Sequence, residues 1–149
     1  MFRKSKSTEF ITIPKLVGRY KEVRVTILGA SFMKPDEGKP ARYADDDFAL
    51  YIMDEVFKRQ SILTRVKGMM SKVHHCRKCN ADLMGRKAYK RRFALDISYK
   101  EMPSFKLEIQ MPAIPCRSCG TSNAVNEPNT ETIICGAIAK AFESLKRKL

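Results

Sequence analysis

Tryptophan is absent from the 149 residues, and histidine occurs only twice. Little is left for acid–base chemistry near pH 7, where histidine is the natural agent. No apolar run approaches the roughly 20 residues that a membrane-spanning helix needs. The longest stretches, such as Ile133 to Ala139, are far shorter. No apolar segment follows the basic N-terminus MFRKSKSTEF, so a secretory signal is not expected. The patterns GxxxxGK[ST], GxGxxG after a strand, HExxH and GxSxG are all missing. These absences point to a non-catalytic cytoplasmic protein with no membrane partner.

Basic charge is abundant instead. Lysine and arginine number 29 against 16 acidic residues, for a net charge of +13. Residues 61–100 hold eleven basic and two acidic groups, so most of the excess lies there. Arg65, Lys67, Lys72, Arg77, Lys78, Arg86, Lys87, Lys90, Arg91 and Arg92 form most of that block. Such a field attracts polyanions and speeds their association. These ten residues, with Tyr89, are the candidate nucleic-acid contacts. Tyr89 and Phe93 interleave with the charges in KAYKRRF. The alternation of Phe93 favours the core, which leaves Tyr89 as the better ring for stacking on an unpaired base. Arg3, Lys4 and Lys6, in a basic arm over residues 1–8, would add phosphate contacts. DNA and RNA are not distinguished by these features.

The alternation of EFITIP predicts a short strand over 9–14 that ends at Pro14. Val23, Val25 and Ile27 share one face of a second strand over 21–29. Residues 33–44, with two prolines and a glycine, read as a loop. Asp45, Asp46 and Asp47 suit the first turn of a helix, where acidic groups oppose the dipole. Ala49, Ile52, Val56, Leu63, Val66 and Met70 then recur at helical spacing. They predict a helix over about 45–72, with Ser61 and Gly68 as its weak points. Asp45, Asp46, Asp47, Asp54 and Glu55 are the only raw material for a metal-dependent nuclease. Asp82 and Asp96 suggest no dyad.

Phe93, Leu95, Ile97 and Tyr99 share one face over residues 92–99, and Phe105, Leu107, Ile109 and Met111 do so over 104–111. About five residues join the two runs, which predicts an antiparallel hairpin. Ile134, Ile138, Ala141 and Leu145 predict a C-terminal helix over about 130–147, with Lys146, Arg147 and Lys148 in its last turn.

The sharpest motif is Cys76-Arg-Lys-Cys79 with Cys116-Arg-Ser-Cys119. Two CxxC pairs are the usual ligand set of a structural tetrahedral zinc site. Two intervening residues let a tight turn aim both sulfurs at one ion. The residue after such a turn is often driven to positive φ, and Asn80 and Gly120 tolerate it best. Iron held by the same thiolates, a disulfide pair, and His74 or His75 replacing a cysteine are the competing readings. A reducing compartment argues against the disulfide. Cys135, beside Ile133, Ile134 and Ala137, reads as a small buried hydrophobe. A closed four-thiolate site leaves no position for substrate, so it staples the fold. Loss of the metal is then expected to unfold residues 74–147.

The fold class expected is α+β. A strand-and-helix region over 1–72 precedes a four-cysteine zinc ribbon with its C-terminal helix over 73–149. CxxC, a hairpin, the lead-in MPAIPCRSCG and a following helix resemble the YgiT-type zinc finger of MqsA-type antitoxins over about residues 74–147. The resemblance implies that Cys76, Cys79, Cys116 and Cys119 are structural zinc ligands and that the ribbon docks a protein. Two functions follow as expectations. One is nucleic-acid binding through the basic face, within a larger assembly. The other is a protein-interaction module, either an antitoxin-like partner or a small subunit of a CRISPR, polymerase or transposition machine. In the second, Met69 and Met70 would supply adaptable contacts.

Overall fold

The structure, a computed structural model, describes residues 10–33, 46–68, 73–99 and 103–148. It is a mixed α+β fold, with strands mostly antiparallel. Strand β1 (Phe10–Tyr20) turns at Lys21 and Glu22 into β2 (Val23–Met33), and Lys21 takes a positive φ of 54° in the turn. Strand β5 (Tyr89–Ile97) pairs with β6 (Phe105–Pro115), and β2 pairs with the other side of β6. The order is β1-β2-β6-β5, with β7 (Ser122–Ala124) added to β6. A separate ladder joins β3 (Arg65–Lys67) to β4 (Val73–His75).

One face of the sheet is apolar because the strands alternate. Val25, Ile109 and Phe93 stand in one cross-strand row, and Ile27, Leu107 and Leu95 in the next. Helix α2 (Thr130–Lys148) covers the β1–β2 side of this face with Ile134, Ala137, Ile138 and Ala141. Gly18 permits the approach: a Cβ there would stand 2.0 Å from the Ala137 carbonyl oxygen. Helix α1 (Asp46–Asp54) sends Phe48 and Ile52 into the same core. The Phe48 ring packs 4.8 Å from Tyr99, 5.5 Å from Phe142 and 5.8 Å from Phe105, centroid to centroid.

Several expectations shift. The first strand does not stop at Pro14. An edge strand can spare the missing N–H, and β1 pairs only with β2, on either side of Pro14. The second strand passes Gly29, which takes a φ of 70°, and continues to Met33. The helix expected over 45–72 is much shorter. It continues past α1 only as a π-helical turn, Glu55–Arg59, closed by the Gln60 N–H on the Glu55 carbonyl. Gln60 Nε2 donates to Glu55 Oε1 at 2.8 Å and to the Asp96 carbonyl at 2.9 Å. The chain then turns extended, and Thr64 N–H bonds to the Ala124 carbonyl. Leu63 and Val66, read as helical, sit in β-type pairing because backbone partners on β7 and β4 outcompete local periodicity.

The expected hairpin over 92–99 and 104–111 forms as β5 and β6. It is not a free-standing ribbon: β6 lies between β5 and β2, so strands from before and after residue 72 share one core. The C-terminal helix forms as expected. The 1–8 arm, the bulk of the 33–44 loop, Met69, Met70 and Lys72 lie outside the described residues.

Candidate metal centre and basic surface

The two CxxC turns adopt the same backbone form. Cys76 N–H donates to the Ala81 carbonyl and Asn80 N–H to the Cys76 carbonyl. Cys116 N–H donates to the Thr121 carbonyl and Gly120 N–H to the Cys116 carbonyl. Asn80 and Gly120 close the turns at φ 66° and 77°, as the sequence suggested.

The chain brings the two turns together. Cys76 Sγ lies 3.6 Å from Cys119 Sγ, and Cys79 Sγ lies 3.5 Å from Cys116 Sγ. All four sulfurs lie within 4.8 Å of one another. A tetrahedral ion with bonds of about 2.3 Å requires sulfurs about 3.8 Å apart. The donor set therefore fits one metal ion. Among the described residues it is the one group of three or more His, Cys, Asp or Glu side chains so placed. Cys76 and Cys116 are buried, whereas Cys79 and Cys119 are exposed.

Electrostatics point the same way. Burial pushes the Cys76 thiol up, but hydrogen bonds from the Cys79 and Lys78 N–H groups, and then from the Cys119 and Asn123 side chains, bring it down to about 6. The Ala81 N–H favours the Cys79 thiolate, yet the neighbouring thiols outweigh it and push Cys79 up to about 12. The Thr121 hydroxyl, with its N–H, lowers Cys119. Beside Cys76 and Cys119, ionisation of Cys79 is resisted until a cation neutralises the cluster.

Sequence reading missed Asn123. Its side chain is fully buried between the two turns. Its Oδ1 accepts the Arg77 N–H at 2.8 Å. Its Nδ2 faces Cys76 Sγ at 3.6 Å and the carbonyls of Thr121 at 3.1 Å and Ile114 at 3.3 Å. Only a tertiary contact reveals this role, since Asn123 lies 47 residues from Cys76.

The expected nucleic-acid contacts do not form one cluster. Arg77 is turned inward: Nε donates to the Ser122 carbonyl and Nη1 to the Ser61 carbonyl, both at 3.1 Å. Burial lowers its pKa, and the Cys76 and Cys119 charges oppose that shift. Arg65 and Lys67 stand exposed on β3, Lys78 is exposed on the first turn, and Arg86 and Lys87 lie in the loop before β5. Alternation splits the rest. Lys90 and Arg92 point to one face of the sheet, while Tyr89 and Arg91 fall on the other side beyond the core, with Arg91 over the Tyr89 ring at 5.6 Å. Tyr89 is half exposed and Phe93 is buried.

His74 Nδ1 is 2.8 Å from Thr64 Oγ1, and His75 Nδ1 is 3.1 Å from the Asn80 carbonyl oxygen. Both histidines brace the fold around the turns. Asp54 and Glu55 are engaged by Lys58 and Arg59 one turn on. Cys135 Sγ packs 3.5 Å from Met53 Sδ, and burial, followed by the Glu131 charge, raises its pKa. None of the helices is long and apolar enough to cross a membrane among the described residues. Comparison with family models, with curated proteins and with solved structures finds no match to this chain.

Proposed function

We propose that the chain is a non-catalytic cytoplasmic protein, stapled by zinc at Cys76, Cys79, Cys116 and Cys119, that binds nucleic acid within a larger assembly. The observation that carries this reading is the run of exposed basic side chains at and just before the start of β5, Lys87, Lys90, Arg91 and Arg92, spread over both sides of the strand. Among the described residues only Arg92 of these forms an ion pair, with Glu108 at 3.8 Å. Zinc is favoured by an all-thiolate tetrahedral donor set in a reducing compartment. The twin turns, the hairpin between them and the helix that follows support kinship with the YgiT-type finger.

The test is binding of the zinc-loaded protein to labelled single-stranded RNA, single-stranded DNA and duplex DNA across a salt series. A steep salt slope, lost when Arg86, Lys87, Arg91 and Arg92 are neutralised, is the expected result. Weak binding to all three ligands refutes it. A protein-docking module is the second reading. Met84, 71% exposed beside a groove lined by Val73, Leu83, Ile114 and Val125, favours it.

A further inference from the structure

The sheet has two faces, and only one is covered by α1 and α2. No described element packs on the other. Register fixes what stands there. One cross-strand row runs Arg19, Arg24, Gln110, Arg92. A parallel row two steps away runs Lys15, Leu28, Lys106, Asp96. With Lys90 two residues before Arg92, the face holds six basic side chains, the acidic ones being Asp96 and Glu108.

Both acids are already taken. Glu108 Oε1 is 3.8 Å from Arg92 Nε, and Asp96 Oδ1 is 2.9 Å from Lys106 Nζ. Lys15, Arg19, Arg24 and Lys90 form no ion pair with a described residue. Arg19 and Arg24 are directly opposite each other, an arrangement that destabilises a sheet unless something offsets it. The same face carries a shallow, mainly polar groove of about 290 Å³ lined by Lys15, Arg24, Arg92 and Gln110, with Glu108, the partner of Arg92, on its wall. Its rows carry no aromatic ring, since Tyr89 falls on the opposite side.

We propose that this open face is a docking surface for the phosphate backbone of a nucleic acid, laid across the strands along Arg19, Arg24, Gln110 and Arg92. The proposal rests on the nucleic-acid reading above and moves its centre from the loop before β5 onto β1 and β2. Four strands about 4.8 Å apart span roughly 14 Å. One strand of a duplex presents about four phosphates over that length, at one per 3.4 Å. Arginine suits the task because its planar fork matches phosphate geometry. With no ring for stacking, contact is to phosphates and carries no base preference.

The experiment uses the full metal-loaded chain and two labelled duplex DNAs of unrelated sequence. Arg19→Glu/Arg24→Glu is compared with Arg86→Glu/Lys87→Glu, which changes net charge by the same amount. The first pair is expected to weaken binding tenfold or more at about 0.1 M salt, to the same extent on both duplexes. It should also flatten the slope of log K against log salt by about two, near 0.9 per lost phosphate contact. Arg19→Gln/Arg24→Gln guards against a folding defect: relief of repulsion should hold or raise Tm while binding falls. If Arg19→Glu/Arg24→Glu binds within twofold of the parent and Arg86→Glu/Lys87→Glu does not, the proposal falls and the nucleic-acid reading stands. If the parent binds no nucleic acid, both fall. If polyglutamate binds as tightly as duplex, the phosphate assignment is replaced by an acidic protein partner.

Discussion

Asn123 offers the most direct test of how the two cysteine turns are held together. Asn123→Ala deletes a fully buried side chain that accepts one hydrogen bond and donates toward a sulfur and two carbonyls. The Arg77 N–H has no other hydrogen-bond partner among the described residues. A buried polar group left unpaired costs about 1–3 kcal/mol. With the lost contact to Cys76 Sγ, the total should reach about 2–4 kcal/mol. Partners that orient metal ligands are typically worth about 10- to 100-fold in metal affinity. Asn123→Asp separates the roles. It keeps an acceptor for Arg77 but sets a carboxylate oxygen where Nδ2 stood, 3.6 Å from Cys76 Sγ. Like charges at that distance repel, so Asn123→Asp should lose more metal affinity than Asn123→Ala. Competition against a chromogenic chelator measures affinity, and thermal denaturation measures stability. If both variants keep affinity within threefold and Tm within about 2 °C, Asn123 does not organise the centre.

Three further outcomes follow from the packing. Metal removal, or Cys116→Ser, should release the protection of residues 74–86 and 114–123 in hydrogen exchange while the sheet core stays cooperative. The turns rest on their own small cluster of Cys76, Leu83, Ile114 and Cys116, separate from the main core. Unfolding of the whole 74–147 region, the expectation from sequence, would show that the sheet depends on the metal. Gly18→Val should destabilise by about 3 kcal/mol or more in thermal denaturation, because its Cβ would strike the α2 backbone at Ala137 and Ala141; an unchanged Tm would mean that α2 does not seat there. Cys135→Ala should retain all bound metal. Burial holds the Cys135 thiol neutral, so its share of stability is complete below 9.0 and is lost as pH rises past that value. The variant should therefore show a shallower alkaline loss of stability, and an identical pH profile would mean that partial burial does not hold the Cys135 thiol neutral.

The four-cysteine cluster was legible because its chemistry is local. Each CxxC turn needs only two cysteines, a tight bend and a residue that accepts positive φ, and all of these are contiguous in sequence. The β5–β6 hairpin and α2 were legible because their apolar periods are long and unambiguous. The stretch 60–67 misled because Leu63 and Val66 fit a helical period as well as a strand. Nothing nearby reveals that Ile62 and Thr64 will bond to β7, some 60 residues on.

By itself, then, the sequence determined the four cysteines, the bends that aim them, the strongest strands and helix, and the excess of positive charge. These depend on residue type and short spacing. Tertiary structure decided that both halves of the chain share one sheet, that Asn123 locks the two turns, and that Arg77 is spent on carbonyls. It also placed Lys15, Arg19 and Arg24 on the same face of the sheet as Arg92, on strands that lie far apart in the chain. Charge can be counted along a chain, but a surface exists only once register has set which residues face the same side.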